Sequence, residues 1–105
     1  MPILKANPTL KDFQGYVRQL EKERGFSEDT ILHKCLFLGE ELGELFRAIR
    51  KQQKMKTDAN SKYGTVDEEL ADMLIYIFAI ANRFNIDLEG VFREKEEVNK
   101  NRTWK

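Results

Sequence analysis

Both prolines of this 105-residue chain, Pro2 and Pro8, precede its first periodic segment, and nothing after them obliges a helix to break. An all-helical fold follows. Thr9 can cap a first helix from Leu10 to about Arg24, with Phe13, Val17 and Leu20 on one face and Gly25 as its stop. Ser27, preceded by Phe26, can cap a second helix from about Glu28 to Gln52. Gln53 to Gly64 is mostly polar and shows no sustained apolar period, so it reads as a loop. Thr65 or Asp67 can cap a third helix to about Phe84, which puts Glu68 and Glu69 in a first turn whose dipole favours negative charge. Asn85-Ile86-Asp87 makes a turn, and Asp87 caps a fourth helix from Leu88 to about Lys100, ahead of a short tail. There is no repeat and no boundary, so residues 1–105 are expected to form one domain.

Eighteen basic residues balance eighteen acidic ones, which removes the electrostatic footprint of a general nucleic-acid binder. The longest charge-free stretch, Met73 to Asn82, is about half of what a membrane-spanning helix needs. The N-terminus lacks a signal-peptide pattern, and a cytoplasmic protein is expected. Cys35 is the sole cysteine, which excludes an intramolecular disulfide and a thiolate metal site; it reads as a small buried apolar residue.

Chemistry is concentrated in two acidic clusters, Glu40-Glu41-Leu42-Gly43-Glu44 and Glu68-Glu69-Leu70-Ala71-Asp72. At about 100° per residue, Glu41 and Glu44 lie about 60° apart on the second helix, and so do Glu69 and Asp72 on the third. Each pair can point at one spot. On the second helix Ile31, Cys35, Leu38, Leu42, Leu45, Phe46 and Ile49 gather around Leu42 as a core face, while Glu41 and Glu44 share the other side with His33, Phe37 and Ala48. Apolar residues cover nearly the whole circumference of the third helix, as expected of an enclosed one, and leave a single polar strip of Glu69, Asp72, Tyr76 and Arg83. An unpaired carboxylate there is costly, so the strip must meet a cation, a partner or a water-filled cleft. Glu-Glu-x-x-Glu alone is commonly a solvated helix face; the pairing with Asp72 inside an apolar helix is what carries the signal. If the helices cross at the clusters, four carboxylates converge and need a cation. Oxygen-only ligands select a hard ion, Mg²⁺ first and Mn²⁺ next.

These residues resemble the MazG-like nucleotide pyrophosphohydrolases, an all-helical superfamily whose signature is E-E-x-x-E followed by E-x-x-D. Here the signature is Glu40, Glu41 and Glu44, a gap of 24 residues, then Glu69 and Asp72. Ala71-Asp72-Met73-Leu74-Ile75-Tyr76 is similar to the family's A-D-x-L-I-Y stretch, and Asn85-Ile86-Asp87-Leu88 to its G-I-D-L turn, with Asn in place of Gly. The resemblance covers roughly residues 10 to 104. It implies a four-helix MazG-like bundle and hydrolysis of nucleoside or deoxynucleoside triphosphates to the monophosphate and pyrophosphate, in nucleotide-pool house-cleaning. It also implies magnesium ligation by Glu41, Glu44, Glu69 and Asp72, with Glu40 behind the ion or activating water alongside Glu41. Tyr76 would contact the sugar or base. Lys95, Asn99 and Arg102, at i, i+4 and i+7 on one face of the fourth helix, would hold phosphate oxygens, although as a bare pattern such a stripe is a solvated surface. His33 reads as structural or capping, Lys34 as a residue that could approach phosphate, and Phe37 and Trp104 as core aromatics or stacking candidates.

Two other readings remain open from the sequence. A phosphoribosyl-ATP pyrophosphohydrolase would carry a His after the tyrosine of the third helix, where this chain has Ile77. A non-catalytic helical module would keep the fold and lack turnover. Four short helices cannot easily cover this much apolar surface, so a homodimer or a tetramer built from dimers is expected, as in the family.

Overall fold

Four helices, with no strand among the described residues, make up the computed structural model, which describes residues 1–104. Helix α1 runs Leu10–Arg24, α2 Ile31–Gln52, α3 Val66–Arg83 and α4 Leu88–Lys100. The chain divides into two compact units, one of Met1–Glu28 with the chain from Ala81 onward, the other of Asp29–Ile80.

In the first unit, Thr9 and Asp12 form a capping box at the start of α1, and Gly25 ends the helix at φ 77°, a left-handed conformation that only glycine adopts without strain. Val17, Leu20 and Ala81 are buried. Polar groups close the unit. Gln14 Nε2 donates to Asn82 Oδ1 at 3.1 Å and to the Ile86 carbonyl at 2.8 Å, and Gln14 Oε1 accepts from the Leu88 amide at 2.9 Å. Arg83 grips the Glu21 carboxylate with both guanidinium nitrogens, at 3.0 and 2.6 Å. A buried glutamate is thus supplied with the bidentate partner that makes its burial tolerable. The turn ahead of α4 places Asn85 at φ 54°, where Asn substitutes for Gly because its short polar side chain tolerates the left-handed region.

In the second unit, α2 begins later than the sequence suggests. Its cap is Thr30 and not Ser27, with His33 at the third helical position completing a reciprocal capping box: the His33 amide donates to Thr30 Oγ1, and His33 Nδ1 accepts from the Thr30 amide at 3.1 Å. His33 is therefore a capping residue. Residues 53–65 lie between α2 and α3, with Lys54 at φ 60°.

The apolar faces depart from expectation. Leu45, Ala48, Phe78 and Ala79 are buried, but Ile31, Leu42, Phe46, Ile49 and Cys35 of the anticipated α2 core face are exposed. Leu70, Leu74 and Ile77 of α3 are 52, 44 and 38% exposed, so α3 is not enclosed within one chain. One chain of this length lacks the partner surface to cover two helices on every side.

Candidate metal and polyphosphate site

The two acidic clusters lie on facing stretches of the second unit, Glu40, Glu41 and Glu44 on α2 and Glu69 and Asp72 on α3. One carboxylate oxygen from each of Glu41, Glu69 and Asp72 lies within 4.8 Å of the other two. Helical spacing explains the pairs: i, i+3 residues share a face, so Glu69 and Asp72 project together toward α2. Glu69 is only 5% exposed, Glu41 is half-buried and Asp72 is exposed. That exposure corrects the expectation of a carboxylate shut inside an apolar helix. Arg83, expected on the same strip, is engaged by Glu21.

The electrostatics of the cluster are those of like charges forced together. Glu41 Oε2 and Glu69 Oε2 are buried without a hydrogen-bond partner. Burial, a hydrogen bond shared with Glu69 and the charges of Glu44, Asp72 and Glu69 push the Glu41 carboxyl up to about 7. Glu44 is raised as well, by burial first and then by its hydrogen bond to Glu69, with Arg47 pulling the other way. This couples Glu44 to the three converging oxygens. The phenol of Tyr76 is likewise raised, by burial and then by the charges of Glu41, Asp72, Glu40 and Glu44. An oxygen-only donor set with two unsatisfied buried oxygens fits a hard divalent cation, which would remove both the repulsion and the missing hydrogen bonds. Glu40 and Glu68 are exposed on the margins.

Several residues around this cluster carry little signal in the sequence. Lys34 is 3% exposed, with its ammonium 3.2 Å from Asp29 Oδ2 and 5.7 and 5.8 Å from the ring centroids of Phe37 and Tyr76. The two rings pack with centroids 5.8 Å apart, so Lys34 and Phe37 hold Tyr76 in place. Only the helical spacing of Lys34 and Phe37 hinted at this. Gly64 is the other: a Cβ there would overlap Glu69 Oε1 and sit 3.1 Å from Glu69 Cδ. A lone glycine at the end of a polar loop gave no such signal.

The expected phosphate-holding residues belong to the first unit. Asn99 lies on α4 with its Nδ2 donating to Glu96 Oε2 at 2.9 Å, and its Oδ1 is buried without a partner. Lys95 is exposed on the same helix. Arg102 lies beyond Asn101, the C-cap, so it does not share the α4 face with them; its amide donates to the Asn99 carbonyl at 3.0 Å. Trp104 is exposed, outside any core. Among the described residues no helix is long and apolar enough to cross a membrane.

Residues 26–103 match the family profile described as the MazG nucleotide pyrophosphohydrolase domain. The uncharacterized protein YvdC of Bacillus subtilis (strain 168) is 28% identical over 96 residues, covering 84% of this chain and 90% of YvdC. Crystal structures of iMazG from Vibrio DAT 722 superpose with a TM-score of 0.69 at 32% identity. The Ctag form covers 88% of this chain and 98% of iMazG, and the Ntag form 90% and 99%.

Proposed function

Because the chain belongs to the MazG nucleotide pyrophosphohydrolase family, we propose that it cleaves the α–β phosphoanhydride of a nucleoside or deoxynucleoside triphosphate. The products are the monophosphate and pyrophosphate, and the activity serves house-cleaning of the cytoplasmic nucleotide pool. The observation that carries this reading is the convergence of Glu41, Glu69 and Asp72 with two buried, unpartnered carboxylate oxygens. Glu44, hydrogen-bonded to Glu69, is the fourth ligand. Bound Mg²⁺, or Mn²⁺ in its place, would neutralise the triphosphate and lower the pKa of water at the site. Glu40 and Glu41 are the carboxylates proposed to accept the proton of the attacking water. Tyr76, fixed by Phe37 and Lys34, borders the cluster and is proposed to meet the sugar or base. Lys95, Asn99 and Arg102 are proposed to hold phosphate oxygens on the strength of their donor chemistry alone.

We further propose one domain over residues 1–105, since the family match takes in residues of both compact units, and a homodimer or dimer-based tetramer. The exposed Leu42, Phe46 and Ile49 of α2 and Leu70, Leu74 and Ile77 of α3 support association. The test of function is pyrophosphate release across a panel of ribo- and deoxyribonucleoside triphosphates with Mg²⁺. Turnover is expected in the wild type and a loss of at least about a hundredfold in Asp72→Asn. Full activity of that variant would refute the assignment.

A further inference from the structure

Beside the carboxylate cluster the second unit holds a small cavity of about 130 Å³ lined by Glu44, Arg47, Lys62, Tyr63 and Gly64. Its chemistry is opposite to that of the cluster. Arg47 stands one helical turn beyond Glu44 on α2, so the two share a face. Its guanidinium carbon lies 4.8 Å from the centroid of the Tyr63 ring, and Lys51 Nζ lies 5.6 Å from the same centroid. Tyr63 is thereby docked onto α2, and hydrogen bonds from Ser61 and then Arg47 hold its phenol below the usual value. The dock brings Lys62 and Gly64 to the cavity from the loop side. Glu44 belongs to both places: it lines the cavity, and Glu69 of the cluster helps raise its carboxyl.

An arginine stacked on a ring has its planar fork oriented before any ligand arrives, and that fork matches phosphate oxygens bidentately; Lys62 adds a point charge. The one ring in the wall, Tyr63, is already covered by Arg47 and Lys51, and the cavity directly adjoins the proposed metal ligands. We propose that Arg47 and Lys62, held by the Tyr63 dock, form a subsite for the terminal phosphate of a polyphosphate chain, anchoring the end of the substrate that departs as pyrophosphate. This subsite rests on the nucleotide pyrophosphohydrolase reading above. The competing explanation is that Arg47 merely offsets the charge of Glu44, and it makes a different prediction. Arg47→Lys keeps the charge but loses the fork and the stack, so charge compensation alone would leave that variant unchanged.

The experiment is calorimetric titration of inorganic pyrophosphate into wild type, Arg47→Lys and Lys62→Met in saturating Mg²⁺. Mg²⁺ is also titrated alone, and circular dichroism verifies the folds. Each variant is expected to bind pyrophosphate about tenfold more weakly while retaining its Mg²⁺ affinity. In steady-state assays on the best triphosphate of the panel, KM should rise by a similar factor with kcat within about twofold. Unchanged pyrophosphate affinity in Arg47→Lys and Lys62→Met overturns the subsite, as does an equal loss of Mg²⁺ affinity. Orthophosphate binding to the wild type as tightly as pyrophosphate overturns the polyphosphate assignment. A wild-type chain that hydrolyses no triphosphate refutes the proposed function instead, and the pyrophosphate titration still decides the subsite.

Discussion

Replacing Glu41 by Gln should stabilise the metal-free protein while destroying its response to Mg²⁺. The Glu41 carboxyl ordinarily titrates at 4.5 and is pushed up to about 7 in the fold, chiefly by burial and by its hydrogen bond to Glu69. A raised folded-state value means that the native state holds its proton more tightly than the unfolded chain does. The associated stability is fully present below 4.5 and is lost as pH rises through about 7. At about 1.4 kcal/mol per pH unit, the interval corresponds to a ceiling of about 3 kcal/mol. Solvent reaches this half-buried side chain, and screening reduces the figure to about 1 to 2 kcal/mol. Glutamine mimics the protonated acid, neutral and able to donate to Glu69, so Glu41→Gln should recover that amount at pH 8. For a domain of this size the gain corresponds to roughly 5–10 °C in Tm. Differential scanning calorimetry in EDTA, from pH 4.5 to 8, should show the two proteins diverging as pH rises, the wild type falling below the variant. Added Mg²⁺ should then raise the wild-type Tm and leave Glu41→Gln nearly unmoved. A variant less stable than wild type at pH 8 in EDTA, or an equal Mg²⁺ shift in both, would refute the picture of like charges awaiting a cation.

Gly64→Ala adds one methyl group where Glu69 Oε1 already lies, so Mg²⁺ affinity by calorimetry should fall about tenfold with helix content preserved; unchanged affinity would mean that Glu69 yields freely. Glu21→Gln leaves the Arg83 guanidinium, 15% exposed, without its carboxylate, and urea unfolding should show a loss of about 3 kcal/mol. Phe46→Glu, on the exposed apolar side of α2, should shift mass in light scattering toward the monomer, and an unaltered assembly would exclude that face from the interface.

The helices were legible in the sequence because their signals are local. Thr9, Gly25 and the early position of both prolines act locally, and α1 lies where they put it. Helix α2 starts after Thr30 although Ser27 and Thr30 are both acceptable caps. The choice fell to Thr30, where His33 can return the hydrogen bond. Helical angle pointed Glu41, Glu44, Glu69 and Asp72 toward one spot, since i, i+3 spacing fixes direction on an axis, and oxygens of Glu41, Glu69 and Asp72 do converge. Periodicity could report that Leu42, Phe46, Leu70 and Leu74 are apolar; it could not say whether the chain itself covers them, and they are exposed. Gly64 and the Arg47–Tyr63 stack depend on how a loop returns to α2, a long-range matter with no period to read.

The turn before α4 has a consequence for how tolerant the molecule is of change. Asn85 sits at φ 54°, where a glycine would carry no Cβ strain. The chain therefore keeps a small reserve of stability, on the order of 1 kcal/mol, that a single substitution to glycine could release. Such a reserve lies in a loop that holds none of the proposed ligands, so releasing it leaves their geometry alone. A lineage altering its substrate preference through costly changes near the carboxylates has in this turn a ready means of offsetting them.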